Sequence, residues 1–188
     1  MRLVSASAKS KGRFGSQLGL SYLWIALVMA AGPANASEWG LNELYGPSAL
    51  ATIRHPESVS ASLLKDRGND KVKERTRRVG LSAELGREAS KLLLSKKSYL
   101  WNMGNPCMPE YGARLIFIRG KDEVWVDFCL KCNQLAVAEN SKSRNGEDFD
   151  PAVAPVLLKL FKAAFPKDRE LLRVRLRVQY LKSPNSLG

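Results

Sequence analysis

Hydrophobic and polar residues change their period several times along this chain, and each change marks an element. From Val59 to Leu63 the order Val-Ser-Ala-Ser-Leu alternates at period two, as a half-buried strand does, just after the turn residues His55 and Pro56. Leu85, Ala89, Leu92 and Leu93 then recur on one helical face, and Ser82 stands where its hydroxyl accepts a free backbone N–H at the helix start. Gly86 lies inside that helix at a cost of about 1 kcal/mol relative to Ala. The apolar runs Ala113–Arg119 and Glu123–Cys129 flank Gly120-Lys121-Asp122, which predicts a β-hairpin. With Arg119 facing Glu123, Phe117 pairs with Trp125 and Ala113 with Cys129, and Ile116, Ile118, Val124 and Val126 fill one face. Gln134–Ala138 follows closely enough to add a third antiparallel strand.

The remaining segments are read from breakers and composition. Ser37–Pro47 is a mixed lead-in whose Trp39, Leu41, Leu44 and Tyr45 tuck onto the domain. Asp66–Arg78 is charged and contains glycine, as an exposed connection does, and Asn140–Glu147 is polar, hence a loop. Asp150-Pro151 or Ala154-Pro155 opens a second helix with Leu157, Leu160, Phe161 and Ala164 on its apolar face, and Phe165-Pro166 stops it. In Leu172–Tyr180, Val174, Leu176, Val178 and Tyr180 alternate with Arg173, Arg175, Arg177 and Gln179, the pattern of a strand with an arginine edge. The expected fold is α+β: a small antiparallel sheet built on a hairpin and meander over 113–138, with the Ser82 and Pro155 helices packed on one face.

The start of the chain follows different rules. Its first 36 residues hold Arg2, Lys9, Lys11 and Arg13 but no acidic group, and a 14-residue apolar run from Leu18 to Ala31 follows the basic ones. That run is shorter than the roughly 20 residues a membrane-spanning helix needs. Gly32-Pro33 and Ala34-Asn35-Ala36 complete the pattern of a cleavable signal peptide, so residues 1–36 are expected to be removed after Ala36 and residues 37–188 to form one exported α+β domain. The whole chain has 30 Lys and Arg against 18 Asp and Glu, a net charge of +12; without its first 36 residues it keeps 26 against 18, or +8.

For an exported protein this charge favours anionic lipid, wall polymer or an acidic partner over nucleic acid. The densest basic run, Lys71, Lys73, Arg75, Arg77 and Arg78, is interleaved with Asp66, Asp70 and Glu74 and has no aromatic residue on which a base can stack, so it reads as a solvated loop. Arg173, Arg175 and Arg177 are the candidates for contact with an anionic surface, and the membrane enters only through such surface charge.

Cys107, Cys129 and Cys132 are the three cysteines, and they bracket the hairpin. In an oxidising compartment they give one disulfide and one free thiol. A bridge from Cys107 to Cys129 or to Cys132 staples the hairpin base, worth roughly 3 kcal/mol in the chain-entropy account. Two sharper alternatives compete. Val124–Cys132 superficially resembles a thioredoxin strand running into C-x-x-C, but Asn133–Val137 reads as a strand, so the helix N-terminus that would activate the thiol is missing. Cys129-x-x-Cys132 also has knuckle spacing, which Cys107 and the single histidine, His55, would complete as a Cys3His zinc set.

There is no G-x-S-x-G, H-E-x-x-H or phosphate-cradling glycine loop, which argues against an enzyme. Asp127, an acid within an apolar strand, reads as a carboxylate on the solvent side or paired with a nearby Arg rather than as a catalytic acid.

Pro-Glu-Ser-Val-Ser-Ala at 56–61, Cys107-x-Pro109-x-x-Gly112, the hairpin, Cys129-Leu-Lys-Cys132 and Ala163-Ala-Phe-Pro-Lys-Asp168 together resemble a family of small exported bacterial proteins of uncharacterised function. Leu130 departs from the aromatic residue often found after the first cysteine of the last pair. The resemblance implies a single exported α+β domain and no particular activity. The expectation is a non-enzymatic periplasmic or secreted domain that binds an envelope or extracellular partner and whose cysteines serve structure.

Overall fold

The computed structural model describes residues 39–66, 72–101, 106–174 and 176. Its first element corrects the expectation for Ser37–Pro47. Helix α1, Trp39–Arg54, runs through that stretch, with Leu41, Leu44, Tyr45, Ala49, Leu50 and Ile53 buried. Gly46 (φ 74°) kinks it and Pro47 starts the second half. Only glycine takes that backbone angle freely, and proline at a helical first turn loses no hydrogen bond. Gly-Pro therefore looks like a helix end in sequence yet joins two helical segments here.

Seven strands follow among the described residues: β1 Ser58–Asp66, β2 Val72–Glu74, β3 Val79–Gly80, β4 Ala113–Arg119, β5 Asp122–Cys129, β6 Gln134–Glu139 and β7 Lys142–Asp148. They form one antiparallel sheet in the order β2-β1-β4-β5-β6-β7, and β3 also pairs with β1. β2 and β3 are two pieces of one edge. Between them Thr76 Oγ1 accepts the N–H of Leu63 at 2.9 Å, a side chain filling in for the interrupted backbone ladder. The exposed connection expected over Asp66–Arg78 is thus partly sheet edge, with 67–71 outside the described residues.

Helix α2, Ala83–Leu93, is capped as expected, Ser82 Oγ accepting the N–H of Leu85 at 3.3 Å. Helix α3, Val153–Ala164, buries Leu157, Leu158, Leu160 and Phe161 and ends at Phe165. A short helix α4, Arg169–Arg173, is capped by Asp168. Leu172 and Arg173 are therefore helical rather than strand, because Asp168 nucleates a turn that the alternation in the tail conceals. α1 packs against β4, β5, β6 and β7, while α2 packs against β1, α1 and α3. The two expected helices are present, α1 and α4 are further ones, and α1 packs against four strands of the sheet.

The hairpin register differs from the expected one by a residue. Arg119 pairs with Asp122, Phe117 with Val124, Ile116 with Trp125 and Ala113 with Phe128. The turn has two residues instead of three, with Gly120 at φ 58°, as the first central position of a type II′ hairpin requires. A one-residue slip turns every side chain of one strand over. Leu115, Phe117, Val124, Val126 and Phe128 consequently share the face toward the core, and Ile116 and Ile118 lie on the opposite, outer face.

β7 replaces the loop expected at Asn140–Glu147. Asn140 (φ 49°) and Ser141 (φ 65°) make a two-residue turn with both angles positive. The strand Lys-Ser-Arg-Asn-Gly-Glu-Asp shows no apolar alternation because it is an edge, where charged residues deter further pairing.

Candidate functional site

Two arrangements occupy the outer face, and each starts from the alternation of β4 and β5. Arg114 and Asp127 are register partners there. Their bonds are bidentate: Arg114 Nε to Asp127 Oδ1 at 2.5 Å and Nη2 to Oδ2 at 2.8 Å. Arg114 also approaches Glu74 of β2 at 3.6 Å and lies over the Trp125 ring, 4.1 Å from its centroid. Arg78 flanks the same ring at 5.7 Å and bonds both Glu74 and Glu123 Oε1, the latter at 2.8 Å. Trp125 Nε1 donates to Glu123 Oε1 as well.

The result is a ladder of two guanidiniums, three carboxylates and one indole crossing the edge strand, β4 and β5. Each guanidinium meets both carboxylate and ring, so the ladder stitches strands together and leaves neither cation without a carboxylate. Asp127 is paired with a nearby Arg, as the sequence suggested. Glu74, Arg78, Glu123 and Trp125 were not foreseen as its neighbours. The one available signal was the turn length, since a two-residue turn places Arg114 opposite Asp127.

The second arrangement holds the cysteines at the far end of the hairpin. Cys107 and Cys132 form a disulfide with Cα atoms 5.8 Å apart, across 25 residues of sequence. Cys129, the last residue of β5, is a free thiol with no exposed surface. Its Sγ accepts the N–H of Glu110 at 3.3 Å. Tyr111 stands nearby, its phenol pushed up by burial and then by the charges of Asp127 and Cys129. Lys131 Nζ meets Glu110 Oε2 at 3.0 Å over the same segment. All three cysteines are brought together, and one of the two bridges foreseen from Cys107 is the one formed.

His55 is elsewhere. It follows α1, and Glu57 N donates to Ile118 O at 2.8 Å, which puts His55 beside the turn end of β4. The cysteines lie at the Ala113 end, about 20 Å away at strand rise. A Cys3His set is therefore not assembled, and among the described residues no group of three or more His, Cys, Asp or Glu is placed to hold a metal ion. Two of the three candidate thiols are in addition taken up by the bridge.

Of the candidate surface arginines, Arg173 is exposed at the end of α4, and Arg175 and Arg177 lie outside the described residues. In the dense basic run, Arg75 bonds Asp168 in two places and Arg78 is held by Glu74 and Glu123, so these cations are matched by carboxylates.

Comparison with family models, characterised proteins and solved structures finds no match. One further buried polar feature has a structural explanation. Tyr45 Oη and Tyr99 Oη are 2.7 Å apart, and Tyr99 donates to Leu93 O at 2.6 Å. Burial pushes both phenols up, and the pair links α1 to the end of α2 through a satisfied hydrogen-bond chain.

Proposed function

We propose that this chain is an exported, non-enzymatic binding domain, acting in the periplasm or outside the cell on an envelope or extracellular partner, with cysteines that serve structure. The disulfide Cys107–Cys132 is the observation that carries this reading. Such bridges persist in oxidising compartments, and this one ties an irregular segment to the sheet as a structural bridge does. The basic, acid-free start, its 14-residue apolar core and Ala34-Asn35-Ala36 support the same destination. No helix among the described residues is long and apolar enough to cross a membrane. Membership of the family of small exported proteins that the motifs resemble is part of the proposal.

A thiol-redox function using Cys107, Cys129 and Cys132 is less well supported. Cys129 ends a strand rather than opening a helix, is buried, and is not the partner of Cys132.

Export is tested by mass spectrometry of protein recovered from fractionated cells. The expected species begins at Ser37 in the periplasmic or extracellular fraction. Full-length protein in the cytoplasm or inner membrane overturns the reading. Binding is tested by sedimentation with isolated envelope, which is expected to saturate; attachment through the +8 charge alone would disappear as salt is raised to physiological strength, where screening shortens to about 8 Å.

A further inference from the structure

Cys129 presents a contradiction that segment 106–112 resolves. Its side chain belongs to the outer face of β5, together with Trp125 and Asp127, on the side away from the core, yet none of its surface is exposed. The cover comes from the segment leading into β4. Glu110 places its N–H on the thiol sulfur at 3.3 Å, and half-buried Tyr111 is the next residue of the same segment.

The segment itself has little else of a fold. It forms no helix or strand, Pro106, Cys107, Met108 and Glu110 are exposed, and Met108 has 86% of its surface in solvent. Downstream it is anchored firmly, since Gly112 donates to Phe128 O at 3.0 Å and accepts from Leu64 N at 2.9 Å. At its other end the covalent tie is the bridge to Cys132. The ion pair of Glu110 with Lys131 joins two exposed side chains, an arrangement that contributes little in water.

We propose that segment 106–112 is a redox-held strap: the Cys107–Cys132 disulfide keeps it across the Cys129 thiol, and opening that bridge makes Cys129 reactive. The exposed Cys107 end gives a reductant access. A dithiol supplies two electrons and two protons; the sulfur–sulfur bond breaks to give the Cys107 and Cys132 thiols, and the dithiol leaves as its own cyclic disulfide. The strap then pivots about Gly112, the Glu110 N–H leaves the sulfur, and Cys129 meets solvent while β4 and β5 stay paired.

Alkylation with N-ethylmaleimide, followed residue by residue by mass spectrometry, tests it on the purified protein. Three samples are compared: oxidised protein, protein reduced with dithiothreitol, and the double variant C107S/C132S, in which Cys129 is the sole thiol. Cys129 is expected to react at least about tenfold faster in the last two than in the first, as local opening without global unfolding allows. Hydrogen exchange of the β4 and β5 amides, measured in parallel, should stay slow throughout. Equal rates in all three samples overturn the strap, and so does Cys129 labelling that only keeps pace with loss of amide protection. The variant Glu110→Ala keeps the bridge while removing the Lys131 pair. It should leave Cys129 shielded; rapid labelling there shows that the bridge is not what holds the strap.

Discussion

Arg114 and Asp127 face each other across β4 and β5 on the outer side of the sheet and are joined by two parallel hydrogen bonds, although only 9% and 15% of their side chains are exposed. Fork geometry and the adjoining Trp125 ring offset the desolvation of both charges. Removing one partner leaves the other charge poorly solvated. Asp127→Ala is therefore expected to lower unfolding stability by about 2–5 kcal/mol in urea titrations, and the double replacement of both residues by apolar ones by much less. If the loss in the double variant equalled the sum of the two single losses, the pair would not act as a unit.

Gly86 sits one turn into α2, packed against Val59. A methyl group at Gly86 would stand 3.2 Å from Val59 Cγ2. Gly86→Ala gains about 1 kcal/mol of helix propensity but forces the helix off β1, which typically costs about 1–3 kcal/mol. The expected result is net destabilisation alone and net stabilisation in a Val59→Ala background. A thermal-unfolding double-mutant cycle with no change of sign would assign the glycine to something other than this contact.

The bridge should carry a measurable share of stability. Closing 25 residues corresponds to about 3 kcal/mol in the chain-entropy account. Cys107→Ser is expected to lower stability by about 2–4 kcal/mol. Unfolded, unreduced protein should bind one equivalent of alkylating reagent at Cys129 and reduced protein three. Peptide mapping that finds a Cys129–Cys132 bridge in place of Cys107–Cys132 contradicts the fold of this end of the sheet.

Two carboxylates shape the pH dependence in opposite directions. Arg75, bonded to Asp168 at 2.9 and 3.1 Å, holds that carboxyl below its usual range, so its contribution is present above about pH 4 and lost as pH falls through the lowered native value. Asp168→Asn keeps a helix cap but should flatten the acid limb of a melting-temperature profile. Asp168→Ala also removes the cap to Leu171, at a further cost of about 0.5–2 kcal/mol.

Glu147 behaves inversely. Burial, then the nearby Asp148 and Glu43 charges, push its carboxyl up, so the native state holds its proton more tightly and loses stability as pH rises through that value. Glu147→Gln should raise the melting temperature at neutral pH and have no effect in acid. A variant that melts at the same temperature as wild type at pH 7 would contradict this.

Local periodicity alone determined the strand at Val59–Leu63, the Ser82 cap, the apolar faces of α2 and α3 and the existence of the hairpin, since each depends on residues within a few positions of one another. Cysteine arithmetic set one bridge and one free thiol, and the irregular segment around Cys107 favoured a bridge from Cys107 without choosing between Cys129 and Cys132. The rest was decided by contacts distant in sequence. α1 escaped notice because its Gly-Pro kink is favourable only once Leu44, Tyr45, Leu50 and Ile53 are buried against the sheet. The register turned on one residue of turn length, which periodicity cannot count, because both strands alternate equally well either way. β7 has no apolar pattern to read; its partner β6 supplies the backbone hydrogen bonds that make it a strand. The choice of Cys132 over Cys129 followed from that register: Cys129 points to the outer face under Glu110, and the turn after it carries Cys132 round to Cys107.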